Sequence, residues 1–201
     1  MKMMKDEGVL RFAVFADSHG NAGGIRQAIE ENGTFHGIIH LGDGVEDGHK
    51  IAREKFLRFY GVAGNEDYCT EYPEKHLLIA NSIPIMLIHG HQIDINPYQE
   101  KKVFDKNCSI LAGIAHREGV QVLFFGHTHT PLIRIVENVL LFNPGEMYVG
   151  SSRDRSFGIM EVRNDTLVLS TVLEISENDW DMVDSMIFCI NSTGRCEHKS
   201  S

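Results

Sequence analysis

The chain has 201 residues, 42% hydrophobic and 23% charged, a balance that suits a single α/β domain with its own core. A formal charge of −9 argues against an extended nucleic-acid surface, but not against phosphate substrates, since bound cations reverse the local field. No stretch is long and apolar enough to span a membrane, and the first residues, with Lys5, Asp6 and Glu7, lack the apolar run of a signal peptide.

In chain order, Val9 to Ala16 reads as a buried strand that stops abruptly at Asp17-Ser18-His19-Gly20-Asn21. Ala22 to Glu31 reads as a helix closed by Asn32-Gly33. A second strand, Gly37 to Leu41, ends in Gly42-Asp43-Gly44, and Gly48 to Arg58 has weak helical character. A third, Phe59 to Ala63, ends in Gly64-Asn65-Glu66-Asp67. This repetition predicts a sheet covered by helices, with functional loops at the carboxyl ends of the strands. His76 to Ala80 and Ile83 to Ile88 form a hairpin, the latter ending at His89-Gly90-His91. Asn96-Pro97 opens a loop, Lys106 to Glu118 reads as a helix, and Val120 to Phe125 runs into Gly126-His127-Thr128-His129. Two further hairpins follow, Leu132 to Phe142 across Glu137-Asn138 and Phe157 to Leu173 across Asn164-Asp165. The expected division is one domain over 1–175 and a tail of no assigned role over 176–201.

The polar clusters share a chemistry. Asp17 and His19, spaced i, i+2, are expected to share a face as in an extended segment, and His127 and His129 likewise. With Asp43, Asn65 and His89 they offer imidazole, carboxylate and amide donors suited to Mn²⁺, Fe²⁺ or Zn²⁺. No cysteine takes part, which argues against a structural zinc site. Only Asp17 and Asp43 are anionic, so two divalent cations would leave a net positive centre for phosphate. Singly, Asp17 or Asp43 could be a helix cap or turn former. Seven together define one ligand set.

DSH, GDG, GNED, HGH and GHTH, in this order after strands, resemble the calcineurin-like metallophosphoesterase superfamily, and within it the small YfcE-like phosphodiesterases. The retromer subunit of the same fold is a more distant relative. The resemblance spans about Val9 to Ile175 and implies a four-layer α-β-β-α sandwich. It assigns Asp17, His19 and His129 to one metal, Asn65, His89 and His127 to a second, and Asp43 as the bridge. It implies that the two divalent ions, Mn²⁺ first and Fe²⁺, Zn²⁺ or Ni²⁺ also fitting, hold a bridging hydroxide that attacks phosphorus in line. Many relatives carry histidine directly after the motif asparagine, where this chain has Glu66, so protonation of the leaving group is the weak point. His91, two residues past His89, is a secondary catalytic candidate beside Asp43, for phosphate contact or proton donation. Its plainer reading is a loop residue.

The first expectation is therefore a phosphodiesterase acting on small phosphate esters. The alternatives are a protein-binding scaffold and a phosphomonoesterase on a small metabolite. Glu66 and Asp67 are expected to form a solvated acidic turn, with Asp67 alternatively an acceptor that orients a nearby ligand. Arg153 and Arg155 are expected in surface ion pairs, with contact to a phosphate as the alternative, and Asn143-Pro144-Gly145 as a scaffold segment. His36, His40, His49, His76, His116 and His198 receive no role. Cys69, Cys108, Cys189 and Cys196 are widely spaced with no CxxC pair, so reduced thiols in the cytoplasm are expected. A Cys189–Cys196 bond is allowed by spacing but not expected. A homo-oligomer is compatible with the sequence.

Overall fold

Strand β1 (Leu10–Phe15) alternates between two buried faces, as an extended chain must. Phe12 and Val14 enter one apolar cluster, Ala13 and Phe15 another. The computed structural model describes residues 8–189 except 69, 97, 177 and 178. The expectations for Cys69, Pro97, Cys196 and His198 lie outside these residues.

Helix α1 (Ala22–Glu31) follows, capped by Asn21, whose side-chain oxygen accepts from Gly24 N at 2.9 Å. Strands β2 (Gly37–His40) and β3 (Arg58–Gly61) extend β1 in parallel, with α2 (Val45–Glu54) between them. The second half supplies β4 (Lys75–Ala80), β5 (Ile83–Ile88), helix α3 (Lys101–Arg117), β6 (Val122–Phe124), β7 (Leu132–Val136) and β8 (Val139–Asn143). The hairpin turns Asn81-Ser82 and Glu137-Asn138 have positive φ at both residues, the form whose twist suits paired strands.

Strands β9 (Ser156–Arg163), β10 (Thr166–Ser176) and β11 (Asp179–Cys189) complete the first sheet, ordered β11-β10-β9-β1-β2-β3. The second is ordered β4-β5-β6-β8-β7. The sheets face each other across a cluster that includes Phe12, Val14, Ile39, Leu87, Phe124 and Phe142. Ile25, Ala28, Ile51 and Ala52 of α1 and α2 cover the first sheet's outer face. Cys108, Leu111, Ala112 and Ala115 of α3 cover that of the second. The architecture is the expected four-layer α-β-β-α sandwich.

Part of the expected tail behaves otherwise. Asp179–Cys189 is an edge strand paired along its length with β10. Met186 and Phe188 enter the inter-sheet core, and the Trp180 indole meets Phe157 edge-on. Asp179 and Asp181 obscured this strand in the sequence, yet charge on an exposed edge is what discourages further strand pairing.

Candidate metal centre

The loops after β1, β2 and β3 of the first sheet and after β5 and β6 of the second converge where the parallel strands end. The chain turns sharply there. Asp17, His19, Asp43, His127 and His129 all have positive φ, between 44° and 66°. Such a backbone is strained for residues with a Cβ, and its concentration here makes these loops the candidate functional site. It also corrects the extended-segment argument: Asp17 with His19, and His127 with His129, are brought together by tight turns, not by strand alternation.

Gly42 permits the closest approach. Its φ is +95°, and a Cβ there would lie 2.6 Å from Gly64 N and 2.7 Å from His89 Nδ1. The β2 loop is held from beneath by Asp67. Its carboxylate accepts from the backbone N–H groups of Asp43, Gly44 and Gly64 at 2.8 Å and of Val45 at 3.0 Å. Asp67 is thus the orienting acceptor of the alternative reading, not the solvated turn residue first expected. His40, given no role from sequence, is fully buried and belongs to a second brace. Gly42 N donates to His40 Nδ1, His40 Nε2 meets Ser18 Oγ at 3.1 Å, and Ser18 Oγ donates to Asp47 Oδ2 at 2.7 Å.

Two donor groups result. Ligand atoms of Asp17, His19 and His129 lie within 4.8 Å of one another, and so do those of Asp43, His89 and His127. A third grouping at the same spacing joins His19, Asp43 and Glu66, so Asp43 lies within reach of both sides. His89 Nδ1 donates to Leu41 O at 2.7 Å, which aims Nε2 at Asp43 Oδ2, 3.2 Å away, and His127 Nδ1, 3.1 Å away. His127 N donates to Asp17 Oδ2 at 3.0 Å, and Glu66 N to Asp43 Oδ1 at 2.7 Å. Asn65 is exposed on the turn after Gly64.

Glu146 escaped the sequence reading. It directly follows Asn143-Pro144-Gly145, is fully buried, and its Oε2 holds His129 Nδ1 at 2.5 Å. That contact turns His129 Nε2 toward Asp17 Oδ1, 3.5 Å away. The signal available was one acidic residue inside an otherwise apolar and small segment.

The electrostatics are those of an anionic pocket with imidazoles pressed into it. Burial pushes the Asp17 carboxyl up to about 6. Burial acts the same way on Asp43, but the hydrogen bond and charge of His89 outweigh it and bring the group down to about 2. Burial opposes protonation of His89 and His129, yet the Asp43 hydrogen bond raises the first and the Glu146 hydrogen bond the second. Burial, then the charge of His89, lowers His127 to about 4.

The donors fit divalent cations on an observation independent of any family. Asp17 Oδ1 and His19 Nε2 are buried and have no hydrogen-bond partner among the described residues. Both belong to the first donor group, and buried polar atoms seldom stay unpaired without cause. His91 occupies a single 3₁₀ turn, with its ring centroid 5.4 Å from that of His89 and 6.3 Å from that of His127. Its buried Nδ1 is likewise unpartnered.

A model of the calcineurin-like phosphoesterase superfamily domain matches residues 10–165. The chain belongs to that superfamily. A probable metallophosphoesterase of Methanocaldococcus jannaschii is 35% identical over 109 residues, covering 54% of this chain and 51% of the relative, so the match spans about half of that protein. One from Methanothermobacter thermautotrophicus is 30% identical over 132 residues, covering 65% of this chain and 71% of the relative. Among solved structures, vacuolar protein sorting 29 from Cryptosporidium parvum shares the fold with a TM-score of 0.70 at 16% identity, covering 90% of this chain and 98% of that one. No helix among the described residues is long and apolar enough to cross a membrane.

Proposed function

We propose that the chain is a dinuclear metal-dependent phosphodiesterase. Asp17, His19 and His129 hold one cation, and Asn65, His89 and His127 the other, with Asp43 shared. The observation that carries this reading is the pair of facing donor groups, one with two buried and unpaired ligand atoms, linked through Asp43. Mn²⁺ is the first choice, with Fe²⁺, Zn²⁺ and Ni²⁺ as alternatives. When bound, such cations supply a water acidic enough to attack phosphorus and positive charge for its oxygens. The chain's own groups prepare the site: Leu41 O and Glu146 fix the His89 and His129 rings, and Asp67 fixes the backbone that carries Asp43.

Glu66 occupies the position where many members of the superfamily, though commonly not the YfcE-like branch, carry a leaving-group histidine, and its Oε2 lies 3.1 Å from His19 Nδ1. We expect aryl and phosphoanhydride leaving groups to depart more readily than alkoxides. Equal rates across leaving groups of widely different pKa would count against this.

The central experiment strips the protein with chelator, restores Mn²⁺, Fe²⁺, Zn²⁺ or Ni²⁺, and assays a chromogenic diester and monoester side by side. Metal-dependent diester turnover, abolished in Asp43→Ala, is expected. Monoester turnover alone would select the phosphomonoesterase reading. Cation binding with no turnover of either ester would leave a metal-binding scaffold.

A further inference from the structure

A cleft of about 350 Å³ opens beside the His19 and His129 side of the centre. Tyr148, Val149 and Ile175 contribute exposed apolar surface to it. Two of its residues reach the centre. The Tyr148 ring stands edge-on to that of His19, with centroids 5.1 Å apart. Arg153 lies close enough to Glu146 and His129 for its charge to act on both. The two arginines of the cleft differ in what holds them. Arg155 is clasped by the Glu174 carboxylate through two hydrogen bonds. The Arg153 side chain makes no hydrogen bond or ion pair among the described residues.

We propose, resting on the phosphoesterase reading above, that this cleft binds the organic arm of the ester, and that the arm is a planar ring of aryl or nucleobase size. Three observations lead there. The volume is at the lower end of small-ligand pockets, enough for one ring system and too small for a polymer segment. The walls set Tyr148, Val149 and Ile175 beside charged and hydroxyl groups, Asp154 and Ser176 among them, so a flat ring with a polar edge finds both an apolar surface to rest on and groups to hydrogen-bond. Arg153, whose side chain has no hydrogen bond or ion pair among the described residues, lines the cleft while its charge acts on Glu146 and His129, so it is the cation available to an ester's anionic phosphate oxygen. Tyr148 is then the specificity residue, Arg153 binds the anionic group common to all such esters, and Gly150 sets the position of the Tyr148 ring. A Cβ at Gly150 would lie 2.2 Å from Tyr148 Oη, so Gly150→Ala must displace the ring without removing it.

The test compares phenylphosphonate with methylphosphonate, two anions that differ only in the arm, by calorimetric titration of the Mn²⁺-loaded protein. A phenyl preference of about tenfold is expected for one well-buried ring. Tyr148→Ala and Gly150→Ala should each cut the preference to within about twofold. Arg153→Met should weaken both ligands by a similar factor, since it meets the shared anionic group. No phenyl preference in the native protein, or one that survives both Tyr148→Ala and Gly150→Ala, overturns the proposal. A phenyl preference lost in these variants supports the cleft even if no ester is turned over, so its fate and that of the catalytic reading are separable.

Discussion

Glu146 and Asp67 differ from the seven candidate ligands in one respect: each acts on the site through another group. Glu146 supplies a buried acceptor to His129 Nδ1, fixing which nitrogen faces inward. Glu146→Gln keeps the shape but removes the charge that favours this arrangement. Divalent-cation affinity, read by competition with a chromophoric chelator, should fall about 10- to 100-fold. An unchanged affinity would reduce Glu146 to packing. The seven candidates were legible because each follows an apolar strand and glycine neighbours most of them, a local pattern. Glu146 was not, because its contact with His129 forms only once the segment after β8 folds back beside the loop after β6, whereas Asp67 was legible as one of two readings, its place beside Asn65 suggesting an acceptor that orients a ligand. Arg155 fits its expected ion-pair role through Glu174, whereas Arg153 does not.

At the scale of the element, most strands and helices were readable from alternation and punctuation, and the errors lay at boundaries. Helix α2 begins at Val45, earlier than the weak pattern from Gly48 suggested, since Asp67 receives the first N–H groups that a capping side chain would otherwise serve. Helix α3 begins at Lys101 rather than Lys106, its polar first turn hiding the start. The loop after β2 is the most demanding element, because Gly42 must take a left-handed backbone against Gly64 and His89. Gly42→Ala should therefore cost on the order of 2–4 kcal/mol, from backbone strain plus overpacking. Urea unfolding of the chelator-treated protein checks this, and a loss below about 1 kcal/mol would mean the loop relaxes at little cost.

For the whole molecule, the four layers could be expected from the order of elements, but the use of residues 179–189 as a sheet edge could not, because acidic positions concealed their alternation. The buried network beneath the site gives stability a pH dependence. Burial holds His40 down to about 4, below its ordinary value of 6.5, and its Nδ1 accepts from Gly42 N, so a proton there would break a hydrogen bond. The unfolded chain binds this proton first as pH falls, so stability is lost between 6.5 and about 4. The loss from this one group is about 1.4 kcal/mol per pH unit. In the chelator-treated protein, His40→Asn should flatten the fall in unfolding free energy across that window by this amount, whatever its stability at pH 7. Parallel profiles would show that another group carries the acid sensitivity.

Each donor group draws from both sheets: Asp17 and His19 from the first with His129 from the second, and Asp43 from the first with His89 and His127 from the second. Under the proposed assignment, a cation is also a cross-tie between the halves of the sandwich. Asp17 lies near the start of the matched domain and His129 in its second half, so a nascent chain leaving the ribosome holds the first ligand long before the last exists. Cation capture then comes late in the chain's synthesis, and a loaded centre certifies that both halves have met in register.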